Sequence, residues 1–303
     1  MKKVLARLKG TFAYQVWDNY IRSGGHLLAA GMSFQMIFAS FAGIWVLFAV
    51  ANQQFQNHPE VKAAAIDFIN NQVPGLIDSN GPIYPDMLMQ SGSMTGTGIL
   101  AAIATVWTAI AWLDYTRSAM RRIFGLAPTT DVNVVFLKLY DLVLAIIYGV
   151  LVILSAIGSV VVTQSIDDIC VALKIDPNND VLYYALQVTA VVLVLAFDTL
   201  ILGVMIRLLS GVDVPWSRLV GGALFGGAIL GLLKIFATVF ISKSTDNPLF
   251  ASVALFIGIL LWFNLSCRVF LLAASWVATA VKVRNLEAAD VGWALARRNK
   301  ARA

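Results

Sequence analysis

Six long apolar stretches are the feature of this chain that most constrains how it can fold. Each is close to the ~20 residues that an α-helix needs to cross the hydrocarbon core of a bilayer. Hydrophobic residues make up 59% of the chain and charged residues 13%, whereas a soluble domain has about 25% charged residues. We therefore predict an all-α, polytopic membrane protein, with one transmembrane domain over 1–303 and six transmembrane helices. The predicted spans are 27–51, 95–113, 136–163, 181–209, 217–241 and 249–281.

Lysine and arginine are distributed unequally between the two sides of these spans. One side holds most of them, including those in 1–26 and 282–303, whereas the other holds only Lys62, Lys174 and Lys243. Because basic residues collect on the cytoplasmic face, we predict that both termini are cytoplasmic. The segment 52–94 is then an outer loop and 282–303 a basic cytoplasmic tail. This basic inner face would favour anionic lipid headgroups.

Two amphipathic helices are predicted outside the spans. In 1–26, apolar residues recur at helical spacing among basic ones, which indicates an interfacial helix on the inner leaflet; a solvated basic tail is the alternative. Trp17 and Tyr20 would anchor the end of this helix at headgroup level. In the outer loop, an apolar face over 61–73 ends at Pro74 and Gly75. It predicts a short helix that caps the bundle or rests on the outer leaflet.

Three ionisable residues lie inside apolar stretches: Asp198, Lys234 and Arg268. Such a group persists in a membrane only if it is paired, faces a wet cavity or has a function, and a purely structural ion pair is the alternative to a functional role. Counting ~1.5 Å per residue along each helix places Asp198 and Arg268 at matching depth and Lys234 nearer the outside. We therefore predict an Asp198–Arg268 ion pair, with Lys234 left to face an anionic group or hydroxyl oxygens.

Polar residues within the spans collect on single helical faces, at about 100° per residue. Such faces either join helices through hydrogen bonds or line a hydrated cavity, and the added charges favour a cavity. The stripe of the last span consists of Asn264, Arg268, Ser275 and Thr279. The candidate substrate-binding residues are Arg268, Lys234, Asp198, Asn264, Asp141, Tyr148, Tyr184 and Gln187.

The fifth span is rich in glycine, with Gly222, Gly226, Gly227 and Gly231 forming two small-xxx-small pairs. Such pairs allow helix backbones to approach closely. We predict that this span lies between two neighbouring helices and contacts both of them closely.

Catalytic, metal and cofactor sites are not expected. The inner side offers isolated acids such as Asp114, and no set of nucleophile, base and metal ligands is visible. Two histidines are too few for a metal site, and Cys170 and Cys267 lie at depths that a disulfide could not join. Nucleic-acid binding is not expected either, because the basic residues flank helices and form no groove. We therefore predict a protein that is not an enzyme and has no cofactor.

Four segments of the chain form recognisable signatures: 28–41 (LAAGMSFQMIFASF), 112–125 (WLDYTRSAMRRIFG), 214–222 (VPWSRLVGG) and 261–274 (LWFNLSCRVFLLAA). They resemble signatures of the BrkB/YihY family, and the resemblance covers nearly the whole chain. It implies a multi-pass protein of the bacterial inner membrane with six helices, tied to envelope integrity and serum resistance, for some members of which lipid or glycolipid movement has been proposed. Two departures are Ala42, where a proline is usual, and Ser275, where a glutamate is usual, so no role of that glutamate is carried over. An old label of the family, ribonuclease BN, finds no support in the residues, because clustered His, Asp and Glu are missing.

Together, the buried charges and the resemblance predict an envelope protein that transports or flips an anionic lipid, a glycolipid or another amphipathic substrate through a polar groove in the membrane. The alternative is a non-transporting scaffold for envelope-maintenance proteins. The expected partners are membrane lipids, with anionic headgroups at the inner face, and a homo-oligomer is compatible with the sequence.

Overall fold

The computed structural model describes residues 10–73, 76–77, 83–84, 96–126, 135–151, 181–243, 248–282 and 289–290. Over these residues the chain is helical, as predicted, apart from turns and one pair of two-residue strands. The strands β1 (Val212–Asp213) and β2 (Ala289–Asp290) are antiparallel. The helices are α1 (Phe12–Arg22), α2 (Gly25–Asn57), α3 (Pro59–Gln72), α4 (Gly96–Ile123), α5 (135–151), α6 (Val181–Ser210), α7 (Trp216–Lys243) and α8 (Pro248–Lys282).

Four of the described helices are long and apolar enough to cross a membrane. The candidate spans lie on α2, α6, α7 and α8, over Gly25–Phe48, Val192–Ser210, Trp216–Lys234 and Ile257–Lys282. Many of their large apolar side chains point outward, which suits a lipid environment better than water. The other two predicted spans fall partly on residues outside the described ranges, so the six-span topology remains a prediction.

Two clusters of buried side chains hold the helices together, and α8 belongs to both. The first cluster joins α8 to α1, α2, α4, α6 and α7, and includes Tyr20, Met32, Leu113, Ile206 and Leu271. The second joins α8 to the C-terminal half of α2 and to the segment after it, through side chains such as Phe48 and Phe263. Because α8 packs on α1, α2, α4 and α7, it is the central helix of the described bundle.

The helix predicted over 61–73 is confirmed as α3, Pro59–Gln72. Its residue Asn70 donates a hydrogen bond to the Ile77 carbonyl (2.8 Å) and accepts one from the Ile77 N–H (3.0 Å). These bonds fix the turn after α3, and they place Leu76 and Ile77 in the second cluster, where both are buried. The segment therefore caps the bundle at the end of α2, which is one of its two predicted positions.

The N-terminal helix α1 packs on the bundle through Val16 and Tyr20. Trp17 is 48% exposed and suits the predicted role of an interfacial anchor, whereas Tyr20 is fully buried. The prediction of Tyr20 as a second anchor is wrong, because Gly25 has no Cβ and leaves room for the tyrosine ring against the start of α2. Gly24 makes the turn between the two helices with a positive φ of 76°. Residues 1–9 of the predicted interfacial helix lie outside the described residues.

Glycines allow α7 to approach both of its neighbours closely. A Cβ on Gly226 would lie 2.7 Å from the Cβ of Ala273 on α8, and one on Gly227 would lie 3.0 Å from Oγ1 of Thr199 on α6. A Cβ on Gly222 would also collide with α8, at Val277 and at the Ala273 carbonyl oxygen. Close packing on both sides of this helix is thus confirmed.

The basic ends of several helices meet at one end of the bundle. Asn19 joins them, because its Nδ2 donates to the Ile123 carbonyl at the end of α4 (3.2 Å) and its Oδ1 accepts from Lys282 Nζ at the end of α8 (3.2 Å). The β1–β2 pair brings the α6–α7 connection to the segment that follows α8. The last turns of α1, α4, α6 and α8 all carry Lys or Arg, which also suits the negative end of each helix dipole.

Candidate functional site

Asp198 on α6 forms its ion pair with Lys234 on α7. Lys234 Nζ lies 3.0 Å from Asp198 Oδ2, and the side chains keep 21% and 15% of their exposure. The predicted pairing of Asp198 with Arg268 is therefore wrong. That prediction compared only the depths of the backbone atoms. Side chains on a helix lean toward its N-terminus, so their charged atoms lie at other depths than their backbones. Because α6 and α7 are antiparallel, Asp198 and Lys234 lean toward each other and close the difference in depth.

Tyr148 on α5 lies beside this pair. Its ring packs on Trp112 of α4, with the ring centroids 5.4 Å apart, and its hydroxyl lies within electrostatic range of Asp198 and Cys267. Cys267 is a free, buried thiol, whereas Cys170 lies outside the described residues. Three candidates from three different helices thus surround one region of the interior. The other two candidates of α6, Tyr184 and Gln187, have side chains outside the described set.

A second charged cluster joins α4 to α5 at the basic end. Arg117 bonds to both Asp141 and Asp114, and Lys138 Nζ lies 2.7 Å from Asp114 Oδ2. The side chain of Asp141 is fully buried and that of Arg117 is 3% exposed. The prediction of Asp114 as an isolated acid is wrong. The candidate Asp141 is engaged by Arg117, so this cluster of two acids and two bases is electrically balanced.

The sequence contained a signal for this cluster. Asp114 and Arg117 are three residues apart, as are Lys138 and Asp141, and such spacing brings opposite charges together on one helical face. Two stripes of this kind on consecutive helices indicate a network between them. Arg117 was overlooked because the apolar stretch of the second span ends at 113, whereas α4 continues to Ile123.

Asn264 and Arg268 lie one helical turn apart on α8, yet they differ in their contacts. Asn264 Nδ2 donates to Ser33 Oγ on α2 (3.4 Å), and the Ser33 hydroxyl donates to the Ala30 carbonyl (2.8 Å). Arg268 Nε is buried without a hydrogen-bond partner, and within the described part of the chain its guanidinium forms no ion pair. Arg268 therefore retains its capacity to bind an anion.

Further along α8, Ser275 attaches α1 to the bundle. Its hydroxyl donates to the Val16 carbonyl (2.8 Å) and accepts from Asn19 Nδ2 (3.0 Å). The next polar residue of the stripe, Thr279, is buried with no hydrogen-bond partner for its Oγ1 among the described residues. The stripe therefore joins helices through hydrogen bonds at Asn264 and Ser275. This is one of the two roles that the sequence allowed for such a polar face, the other being to line a hydrated cavity.

An electrostatic interaction with Tyr20 places Arg268 near the end of α1. Burial raises the pKa of the Tyr20 phenol above its usual value, and the nearby Arg268 guanidinium lowers it. The Tyr20 hydroxyl lies 3.4 Å from Nδ1 of His26, whose ring is packed edge-on against it. Arg268 thus lies beside a short helix whose last turn and following turn are polar.

The chemistry open to this arrangement is recognition of an anion. A guanidinium presents five N–H donors in a planar fork that matches a phosphate or a carboxylate. Lys234, Arg117 and Lys138 each have a carboxylate partner, whereas Arg268 has none among the described residues. In the same part of the chain, no three His, Cys, Asp or Glu side chains are grouped to hold a metal ion.

Comparison with known proteins gives one match. A family model described as Virulence factor BrkB matches residues 16–297, which extends from the middle of α1 past the end of α8. Neither the curated proteins nor the solved structures include a match to this chain.

Proposed function

This chain belongs to the virulence factor BrkB family, and from that premise we propose that it moves an anionic amphipathic substrate, a lipid or a glycolipid, across the bacterial inner membrane. The family match confirms the resemblance in the sequence, and the long apolar helices make the chain a membrane protein. The proposal includes six spans and two cytoplasmic termini, since basic residues gather at one end of the bundle. It involves no catalytic residue and no cofactor.

One observation carries the proposal: Arg268 is a cation without an anionic partner among the described residues. Cations within membrane-spanning helices are rare and usually mark pathways or pair with acids. Lys234 has such an acid in Asp198, and the cluster around Arg117 is balanced. An anionic headgroup would supply the charge that Arg268 lacks. Asp198 and Lys234 are assigned to holding α6 against α7 near the pathway.

Transport can be measured with purified protein in liposomes that contain a fluorescent anionic lipid, whose exposure on the outer leaflet is followed with a membrane-impermeant quencher. Wild-type protein is expected to accelerate flipping over protein-free vesicles, and Arg268→Gln is expected to remove most of that acceleration. Arg268→Lys keeps the charge but loses the planar fork, so it should retain part of the rate.

Arg22→Gln is the matched control, because Arg22 lies on α1 but is 79% exposed and paired with Asp18. Its flipping rate should equal that of wild type. Equal rates for wild-type protein and protein-free vesicles would contradict transport and favour the scaffold function.

A further inference from the structure

Arg268 is partly exposed, and it lies at the end of an exposed apolar strip on α8. Along this helix, Ile257, Leu261 and Leu265 are 50%, 58% and 40% exposed. Residues three, four and seven positions apart share one face of a helix, so Arg268 continues the line of Leu261 and Leu265. The partly buried cation thus adjoins an apolar surface that is open to the bilayer.

Beyond Arg268, the same face of α8 is covered by α1. Ser275 is seven residues further on and fully buried, and Thr279 is 5% exposed. The bonds of Ser275 with the Val16 carbonyl and with Asn19 show that α1 provides this cover. Arg268 therefore lies between the exposed apolar strip of α8 and the part of α8 that α1 covers.

The lengths along α8 match those of a lipid. At ~1.5 Å per residue, Ile257 lies about 17 Å from Arg268, which is close to half of the ~30 Å hydrocarbon core. Pro248 lies about 30 Å from Arg268 by the same count, close to the whole thickness of that core. An acyl chain could therefore extend along Leu265, Leu261 and Ile257 while its headgroup lies at Arg268.

We propose that Arg268 binds the headgroup of an anionic lipid that arrives laterally from the leaflet next to α1. The acyl chains of the lipid lie on the strip of Ile257, Leu261 and Leu265, and its phosphate or carboxylate binds the guanidinium. The helix α1 lies next to the headgroup. This deepens the proposed function by naming the substrate class as a membrane lipid and the route of entry as the bilayer.

Lipid capture by a photoreactive amino acid tests this site. The residue is introduced at Leu265 and, as a control, at Ile146, which is 59% exposed on α5 and has no cation within four residues. In vesicles of phosphatidylcholine and phosphatidylglycerol, position 265 should capture phosphatidylglycerol severalfold above its mole fraction, whereas position 146 should capture both lipids in proportion. Proportional capture at both positions would overturn the proposal.

Two further experiments test whether the capture depends on Arg268 and whether the ligand enters from the bilayer. Arg268→Gln should weaken the binding of phosphatidylglycerol in native mass spectrometry roughly tenfold or more, since hydrogen bonds to charged groups contribute ~1.5–3 kcal/mol. Soluble glycerol phosphate in excess should leave the capture at position 265 unchanged. Displacement of the lipid by glycerol phosphate would show a site open to water and would contradict lateral entry.

Capture and transport can fail separately. Enriched capture without flipping would contradict the proposed function and leave the lipid site in place. Flipping without enriched capture would contradict this site and leave transport in place. The position-265 variant keeps Arg268, so the test does not depend on whether Arg268→Gln folds.

Discussion

At the scale of single residues, the direction of a side chain decides which charges meet. Asp198 and Lys234 lie at different depths along their helices, yet Nζ and Oδ2 are 3.0 Å apart, because each side chain leans toward the N-terminus of its own helix. The pairing neutralises both groups and leaves Arg268 as a cation with no acid beside it among the described residues. A cation that is already paired with an acid of the protein has little to gain from an anionic ligand, whereas an unpaired cation can bind one.

Removing either partner of this pair should destabilise the protein. We expect Asp198→Asn or Lys234→Met to lower the free energy of unfolding by about 2 kcal/mol, less than the ~3–5 kcal/mol of a fully buried pair, since both side chains retain some exposure. The double variant should recover most of the loss, because no unpaired charge remains. Thermal unfolding in detergent micelles measures this cycle.

The control for this cycle is Asp18→Asn, which removes a pair at the surface of α1 and should change stability by less than ~1 kcal/mol. Additive losses in the Asp198 and Lys234 double variant would show that the two side chains do not stabilise each other.

At the scale of helices, α7 can approach α8 closely because its glycines have no Cβ atoms. A Cβ at Gly222 would lie 2.9 Å from the Ala273 carbonyl oxygen, and one at Gly226 would lie 2.7 Å from the Ala273 Cβ. Backbone that close cannot be relieved by a change of rotamer, so α7 and α8 would have to move apart. The position of α8, and with it that of Arg268, therefore depends on small residues in a neighbouring helix.

Gly222→Ala should lower the free energy of unfolding by ~1–3 kcal/mol through overpacking. Gly231→Ala on the same helix is the control, since a Cβ there meets nothing within 4 Å and alanine favours the helix by up to about 1 kcal/mol. Thermal unfolding should therefore separate the two variants clearly. Equal stability of both would contradict the close approach of α7 and α8.

At the scale of the whole molecule, the helix ends that pack together are also the ones that carry basic residues. The ends of α1, α4 and α8 meet at Asn19, and Lys or Arg occupies their last turns. The opposite end of α2 is capped by α3, whose first turn carries Glu60. Because basic ends face the cytoplasm, this arrangement predicts a cytoplasmic α1 and a periplasmic α3.

Labelling of single cysteines tests this orientation in a background with Cys170 and Cys267 changed to alanine. Arg22→Cys should react with an impermeant maleimide only in inside-out membrane vesicles, and Glu60→Cys only in right-side-out ones. Both positions have exposed side chains, 79% for Arg22 and 69% for Glu60. The reverse pattern would place α1 in the periplasm.

Span length, helical periodicity and residue size are local properties of the chain, so the helical class, the helix α3 and the close packing of α7 could be predicted from the sequence. The separation of basic residues is also visible there. The sequence also singled out Asp198, Lys234 and Arg268, since a charge in an apolar stretch is visible without a structure. Tyr20 was misjudged because Gly25 and His26, which contact its ring, lie on the next helix, α2. Asp114 and Arg117 lie on one helix, and their pairing was missed because the predicted span ended at residue 113, before Arg117.

Which charges pair, and which face of α8 remains uncovered, could be learned from the three-dimensional arrangement alone. Those outcomes depend on the angle, rotation and separation of helices far apart in sequence, and on side chains that lean several ångströms from their backbones. The Asp198–Lys234 distance and the cover of Ser275 by α1 both arise in this way. Among the described residues Arg268 has no acidic partner for the same reason, because its predicted partner Asp198 is bound to Lys234 on another helix.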